Sequence, residues 1–258
     1  MIQGRLNDAA IALYQVLQQA NVKHGIFGGY AIASLGGPRE SKDVDCIAAV
    51  SKEQIIQVLN GTNGFVFINQ TRQDYVAFLW SDKPDRSHAV LVEIFVEQFP
   101  GAQYDMRNLQ TRPVQVQGQV NGNRPISLLD PVYVFKGKLR AAALRGKFHD
   151  SADLRWLESH YGNQLRQNKS QFDLQYVGLA LRRYPELYNL FDRLGLNIPA
   201  AEAATAQIDL AHLPAPRPGD VHRGLLKVPT PRTSPRGSAP GSRSSSAHSR
   251  SSNGRGRG

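Results

Sequence analysis

Cysteine is almost missing: Cys46 is the only one in 258 residues. That excludes a disulfide framework and a thiolate zinc cluster. No apolar run comes near the roughly 20 residues that span a bilayer. The opening MIQGRLNDAA lacks the basic-then-apolar pattern of a secretory signal. Sequons at Asn60, Asn69 and Asn168 carry little meaning without a secretory route. A reducing, intracellular and cytoplasmic setting is expected, with the nucleus as the alternative that a basic tail raises. Two catalytic signatures are missing as well. The sequence has no G-x-G-x-x-G, which argues against a dinucleotide fold, and no G-x-S-x-G, which disfavours an acyl-transfer hydrolase.

Acidic residues are scarce in one region only. From residue 214 onward nine Lys and Arg face a single acid, Asp220. This stretch therefore holds most of the formal net charge of +10. The preceding 213 residues are close to neutral, so bulk charge does not make the body a nucleic-acid binder. Hydrophobic residues form 41% of the chain, and the length allows one large domain or one domain with a small satellite.

Leu6, Ala10, Leu13, Leu17 and Ala20 recur at helical spacing and predict a helix over 5–20, ended by Asn21. A short apolar stretch over 25–27 then meets Gly28-Gly29 and the helix-compatible YAIASL, which Gly36-Gly37-Pro38 breaks. Residues 43–50 read as a strand. Ser51 reads as an N-cap, with a helix over 53–59. Strands follow over 65–68, 75–80 and 88–96, the pattern of an antiparallel meander, and a half-buried strand over 114–120. Asp130-Pro131 is a strong helix start. Helices are expected over 131–145, 151–161, 171–182 and 186–194. The resulting fold class is α+β: a mixed-sheet core over 1–128, a helical region over 129–195 and a poorly defined connector over 196–213. A disordered tail rich in Arg, Ser, Gly and Pro is expected over 214–258.

Three features carry chemistry. Gly28 and Gly29, between strand and helix, let backbone approach a phosphate, although many tight turns also use paired glycines. Asp43 and Asp45, two apart on a strand, point to the same side. At about 4 Å two such charges repel by roughly 4 kcal/mol at an effective dielectric near 20, so solvent or a cation must offset them. Glu93 is the only acid in the apolar strand HAVLVEIFV. An unpaired buried carboxylate there needs a basic partner, a hydrogen-bond donor or a metal. Three carboxylates on neighbouring strands would form an all-oxygen site suited to Mg²⁺, which completes its shell with water and phosphate.

Phe27-Gly28-Gly29, thirteen further residues, Asp43-Val44-Asp45 and a later Glu93 together resemble the nucleotidyltransferase superfamily with the DNA polymerase beta fold. The stretch GGYAIASLGGPRESKDVDC is similar to its small stand-alone members, the aminoglycoside nucleotidyltransferases and the abortive-infection nucleotidyltransferase-like toxins. LLDPVYVFKGKLRAAALRGKFHDSADLRWL resembles their helical region, and the likeness spans about residues 20–160. The resemblance implies that Gly28 and Gly29 cradle a nucleoside triphosphate. It implies that Asp43, Asp45 and Glu93 hold metal, two Mg²⁺ with Mn²⁺ as an alternative, and it leaves Glu93 as either ligand or base. The reaction would release pyrophosphate and join a nucleoside monophosphate to a hydroxyl of a small molecule, RNA or protein. Many members have Ser where Gly29 stands, its hydroxyl on phosphate, so Ser34 or Ser41 is expected to compensate. The alternative is a nucleotide- or RNA-binding protein on this scaffold that does not turn over.

Around Asp130–Lys147 one helix face is expected to meet triphosphate, Lys138 first, because Leu139 and Ala142 beside it look core-facing. Arg39 and Lys42 read either as phosphate contacts or as solvent-facing loop residues. Asp150 reads as a helix N-cap with Asp153 in its first turn, and Trp80 and Trp156 as core or interface residues. The Arg-rich tail reads as a solubilising extension or as a weak RNA contact through phosphates.

Overall fold

The computed structural model describes residues 3–226. Helix α1 (Gln3–Gln19) leads into β1 (His24–Phe27), α2 (Gly28–Ser34), β2 (Asp43–Ser51) and α3 (Lys52–Leu59). Strands β3 (Phe65–Ile68), β4 (Tyr75–Trp80), β5 (Val90–Gln98), β6 (Thr111–Gln117) and β7 (Asn123–Leu129) complete a seven-stranded sheet. The helical part comprises α4 (Pro131–Leu144), α5 (Phe148–Gln167), α6 (Leu174–Arg183), α7 (Tyr188–Arg193), α8 (Ile198–Ala203) and α9 (Asp220–Leu225). The fold is α+β. None of the helices among the described residues is long and apolar enough to cross a membrane.

The sheet order is β3-β4-β5-β2-β1-β7-β6. The β3-β4-β5 meander is antiparallel, as its turns predict. β5 then pairs with β2 in parallel, and β1 pairs antiparallel with β2 and parallel with β7. A parallel pair cannot be closed by a tight turn and needs a long crossover. Chain segments far apart in sequence therefore meet in the middle of the sheet, where the acids lie. Val44, Cys46, Val92 and Ile94 turn to one face and are fully buried. α1, which contacts β2 and β5, covers that face.

Local signals explain the element ends. Ser51 caps α3 through a full capping box with Gln54. Asp130 accepts from the Val132 N–H, and Pro131 occupies the first helical position of α4. Asn21 takes a left-handed φ of 52° just after α1.

Three expectations are corrected. The strand over 114–120 runs instead over Thr111–Gln117. It stops because the buried Asp8 carboxylate of α1 accepts the N–H groups of Gln119, Val120 and Asn121 at 2.8–3.1 Å. The turn that results returns the chain as β7, where periodicity predicts no element. Asp150 is not an N-cap: α5 starts at Phe148, and the fully buried Asp150 takes Arg145 through two bonds of 2.8 and 2.9 Å. The disorder expected from residue 214 does not hold over 214–226. Residues 214–226 include α9, and its Leu225 and the following Leu226 are buried against the core. The rest of the expected tail, 227–258, lies outside the described residues.

Candidate active site

The β2·β5 register sets Asp45 directly beside Glu93 and Asp43 beside Leu91. Side chains at paired parallel positions share a face, and strands lie about 4.8 Å apart. Asp43, Asp45 and Glu93 therefore share one patch, and all three line a single cleft of about 1200 Å³. β1 brings the glycines: Phe27 pairs with Asp45, and Gly28 follows at φ 75°. A Cβ on Gly28 would overlap the Asp45 carboxylate. This glycine is thus demanded twice, by its backbone and by its neighbour.

The acids strain one another. Burial, then the charges of Asp43 and Glu93, push Asp45 up to about 7, with Lys138 and Arg145 pulling the other way. Burial and Asp43 also raise Glu93, and Arg72 opposes. That guanidinium is committed elsewhere, to a two-pronged pair with Asp74 at 2.9 and 2.6 Å. None of the three acids has an ion pair among the described residues. No group of three His, Cys, Asp or Glu side chains there is drawn together as a ready metal cage.

The opposite wall is cationic. Lys138, on α4, is buried and pairs with Asp153 of α5 at 2.7 Å. Arg39 reaches the same carboxylate at 3.2 Å. Burial lowers the Lys138 pKa, Asp153 counters this, and Arg39 adds to the lowering. Arg145 and Lys147 also line the cleft.

Of the expected phosphate residues, Gly28, Gly29, Ser41 and Lys138 line the cleft. Ser41 Oγ donates to Asp43, 3.1 Å from both its carbonyl and its carboxylate, and so orients the acid. Ser34 is placed differently: it ends α2 and does not line the cleft. Lys42 lines the cleft and is exposed. Trp156 is half-buried at the cleft and stacks on His160 with centroids 4.2 Å apart, whereas Trp80 is a core residue.

Two parts of the cleft escape sequence reasoning. Asp153 reads as a first-turn acid, yet it joins two cations. The spacing from Lys138 across one turn and into the next helix is the available signal. The other part is the wall made by residues 213–216 with Asp220, Val221, Gly224 and Leu225. It is pinned by Arg140–Asp220 at 3.2 Å, by the Gly219 N–H on Asp74 at 2.9 Å and by His222 Nε2 on the Val96 carbonyl at 2.8 Å. Nothing in a Pro/Gly-rich stretch signals these distant partners.

A mixed sheet that aligns two strands' carboxylates beside a glycine turn, under a cationic helical wall, is the architecture of the nucleotidyltransferases, enzymes that transfer phosphorus-containing groups. More narrowly, the family model described as nucleotidyl transferase AbiEii toxin, type IV toxin–antitoxin system, matches residues 26–213, and the chain belongs to this family. No curated protein is similar enough to count as a match. Among solved structures, an antigenic nucleotidyltransferase-like protein from Paracoccidioides brasiliensis is 21% identical with a TM-score of 0.51, covering 74% of this chain and 92% of its own. MenT4, a nucleotidyltransferase toxin from Mycobacterium tuberculosis, is 16% identical with a TM-score of 0.41, covering 87% and 88%. ANT(2'')-Ia in complex with adenylyl-2''-tobramycin is 16% identical with a TM-score of 0.40, covering 59% and 87%. At these identities the first likeness speaks for the fold alone, and the two lower scores support nothing further.

Proposed function

We propose that the chain transfers a nucleoside monophosphate from a nucleoside triphosphate to an acceptor hydroxyl, with Mg²⁺ held by Asp43 and Asp45 and with Glu93 as the third carboxylate, ligand or base. The observation that carries this reading is the register pairing of Asp45 with Glu93, two carboxylates without an ion-paired cation among the described residues. Their raised pKa values mark a concentration of negative charge that a counter-ion would relieve. The donor set is all oxygen, which suits a hard dication. No group of three His, Cys, Asp or Glu side chains able to hold a metal is found among the described residues, so the ion would have to draw much of its shell from water and triphosphate. Such an ion supplies charge neutralisation on the phosphates and on the attacking oxygen.

The chain's own residues then have separable tasks. Gly28 and Gly29 admit the triphosphate to the backbone, and Lys138 and Arg145 face it from the helical wall. Glu93, where the ion leaves it free, accepts the proton of the acceptor hydroxyl. The acceptor oxygen forms a bond to the α-phosphorus as the bond to the bridging oxygen breaks, and pyrophosphate leaves with that electron pair. Positioning and electrostatics supply most of the acceleration. The wall of 213–225 stands next to β5 and so belongs to the Glu93 side, where the acceptor enters.

One observation favours the second reading, binding without turnover: the serine position of many relatives is Gly29, and Ser34 does not replace it. Pyrophosphate release from each of the four NTPs with Mg²⁺, for wild type and Asp45→Asn, decides between the two. Release that vanishes in the variant supports the transferase. Metal-dependent nucleotide binding without pyrophosphate from any acceptor pool supports the binding protein.

A further inference from the structure

Position 29 is small for a reason outside its own backbone. A Cβ there would stand 2.6 Å from Arg39 Nε, 3.0 Å from Nη2 and 3.1 Å from Cζ. The first of these is closer than real Cβ atoms come, so the guanidinium fills the space that a side chain at 29 would take. Arg39 is sited by two bonds. Its backbone N–H donates to the Gly37 carbonyl at 2.8 Å, and Nη1 donates to Asp153 at 3.2 Å. The Nε–Nη2 edge faces Gly29. Its Nε is buried and has no hydrogen-bond partner among the described residues.

A buried N–H of a charged group without a partner is costly, so it is an indicator of a missing acceptor. Charge gives the same message. Asp153 is one carboxylate serving two cations, Arg39 and Lys138. The cluster keeps an excess positive charge inside the cleft that holds the three acids. The Nε–Nη2 edge is a fork that takes two phosphate oxygens in parallel N–H···O bonds.

We propose that Arg39, its guanidinium seated where a side chain at position 29 would stand, grips the terminal phosphates of the incoming nucleoside triphosphate and is the residue by which triphosphate is told from monophosphate. The proposal rests on the reading of the cleft as a nucleoside-triphosphate site. It assigns to an arginine from the α2–β2 loop the contact that a serine hydroxyl at position 29 makes in many relatives. Lys138 holds the same anion from the other side and keeps Asp153 as its partner when the phosphates arrive.

The test uses the full chain with Mg²⁺. Its probes are the α,β-methylene analogue of the NTP that gives most pyrophosphate and the matching monophosphate. Calorimetric affinities for both are measured in wild type, Arg39→Ala, Arg39→Lys, Gly29→Ser and the Gly29→Ser/Arg39→Ala pair. Loss of charge-assisted bonds predicts that Arg39→Ala weakens the triphosphate analogue by about 10- to 150-fold and the monophosphate by no more than about twofold. Arg39→Lys falls between. Gly29→Ser displaces the guanidinium but offers a hydroxyl in its place, so Arg39→Ala costs the triphosphate analogue less in the Gly29→Ser background than in wild type. Equal weakening of both nucleotides by Arg39→Ala, no weakening, or fully additive losses in the pair overturns the assignment. If Arg39→Ala does not fold, the ratio in Arg39→Lys decides in the same way. Wild-type protein that binds neither probe overturns the cleft reading, whereas wild-type binding with an unchanged ratio in the variants overturns Arg39 alone.

Discussion

Asp45→Asn gives a test of the acidic patch that needs no substrate. Burial and two neighbouring carboxylates raise Asp45 from 3.8 to about 7. A carboxyl with a higher pKa in the folded state binds more protons folded than unfolded between those values. Its contribution to stability is therefore complete below pH 4 and is lost as pH rises through 7. About three pKa units correspond to at most about 4 kcal/mol, at 1.36 kcal/mol per unit. Asparagine cannot ionise, so the variant escapes this loss. Wild type and variant should have similar stability at pH 4, and by pH 8 the Asp45→Asn protein should be the more stable by up to about 4 kcal/mol. For a domain of this size that is about 8–16 °C in Tm. Differential scanning fluorimetry from pH 4 to 8 in EDTA reads the difference directly, and working with the difference cancels the other titrating groups. Mg²⁺ at pH 8 should raise the wild-type Tm and leave the variant nearly unmoved. A variant that is equally stable or less stable at pH 8, or a difference that does not grow with pH, refutes the crowded-carboxylate picture and the cation site built on it.

Four further outcomes follow from the same geometry. Gly28→Ala should cost at least about 1–2 kcal/mol, because φ is 75°, and should abolish pyrophosphate release by displacing Asp45; urea unfolding and an activity assay check the two parts. Asp153→Ala should destabilise by about 3–5 kcal/mol in urea unfolding, since it strands buried Lys138 and leaves Arg39 without its carboxylate. His222 is buried, and burial lowers its pKa. The unfolded chain therefore takes up its proton first, so stability should fall as pH drops below about 6.5; His222→Gln should flatten that acid branch in thermal melts. Phe148→Ala, at a residue 77% exposed, should leave unfolding free energy within about 0.5 kcal/mol of wild type.

Patterns that live within one element are legible in the chain. The alternation in β2 places Asp43 and Asp45 on one side, and the meander pattern places Glu93 on a strand apolar to either side. That β2 and β5 are neighbours comes from the family resemblance, because single-sequence periodicity says nothing of which strands pair. β7 is invisible for a local reason. NRPISLL carries a proline and lacks clean alternation, features that demote a strand. The wall formed by 213–226 is hidden by composition: Pro and Gly counted over a window outweigh the few buried groups, His222, Leu225 and Leu226, that hold it. The Lys138–Asp153–Arg39 cluster is half legible. Each residue can be seen, but the sharing of one carboxylate by two cations exists only in three dimensions.

The 213–226 wall also has a consequence in time. A ribosome delivers the sheet with its acids first, and roughly 130 residues separate Glu93 from the last described residue. At about 5–20 residues per second, that is roughly 7–26 s of synthesis. Through this interval a nascent chain lacks the residues 213–225 that line one flank of the cleft. That flank closes only when Gly219 and His222 find Asp74 and Val96, so the cleft takes its full shape well after the strands that carry its acids have been made.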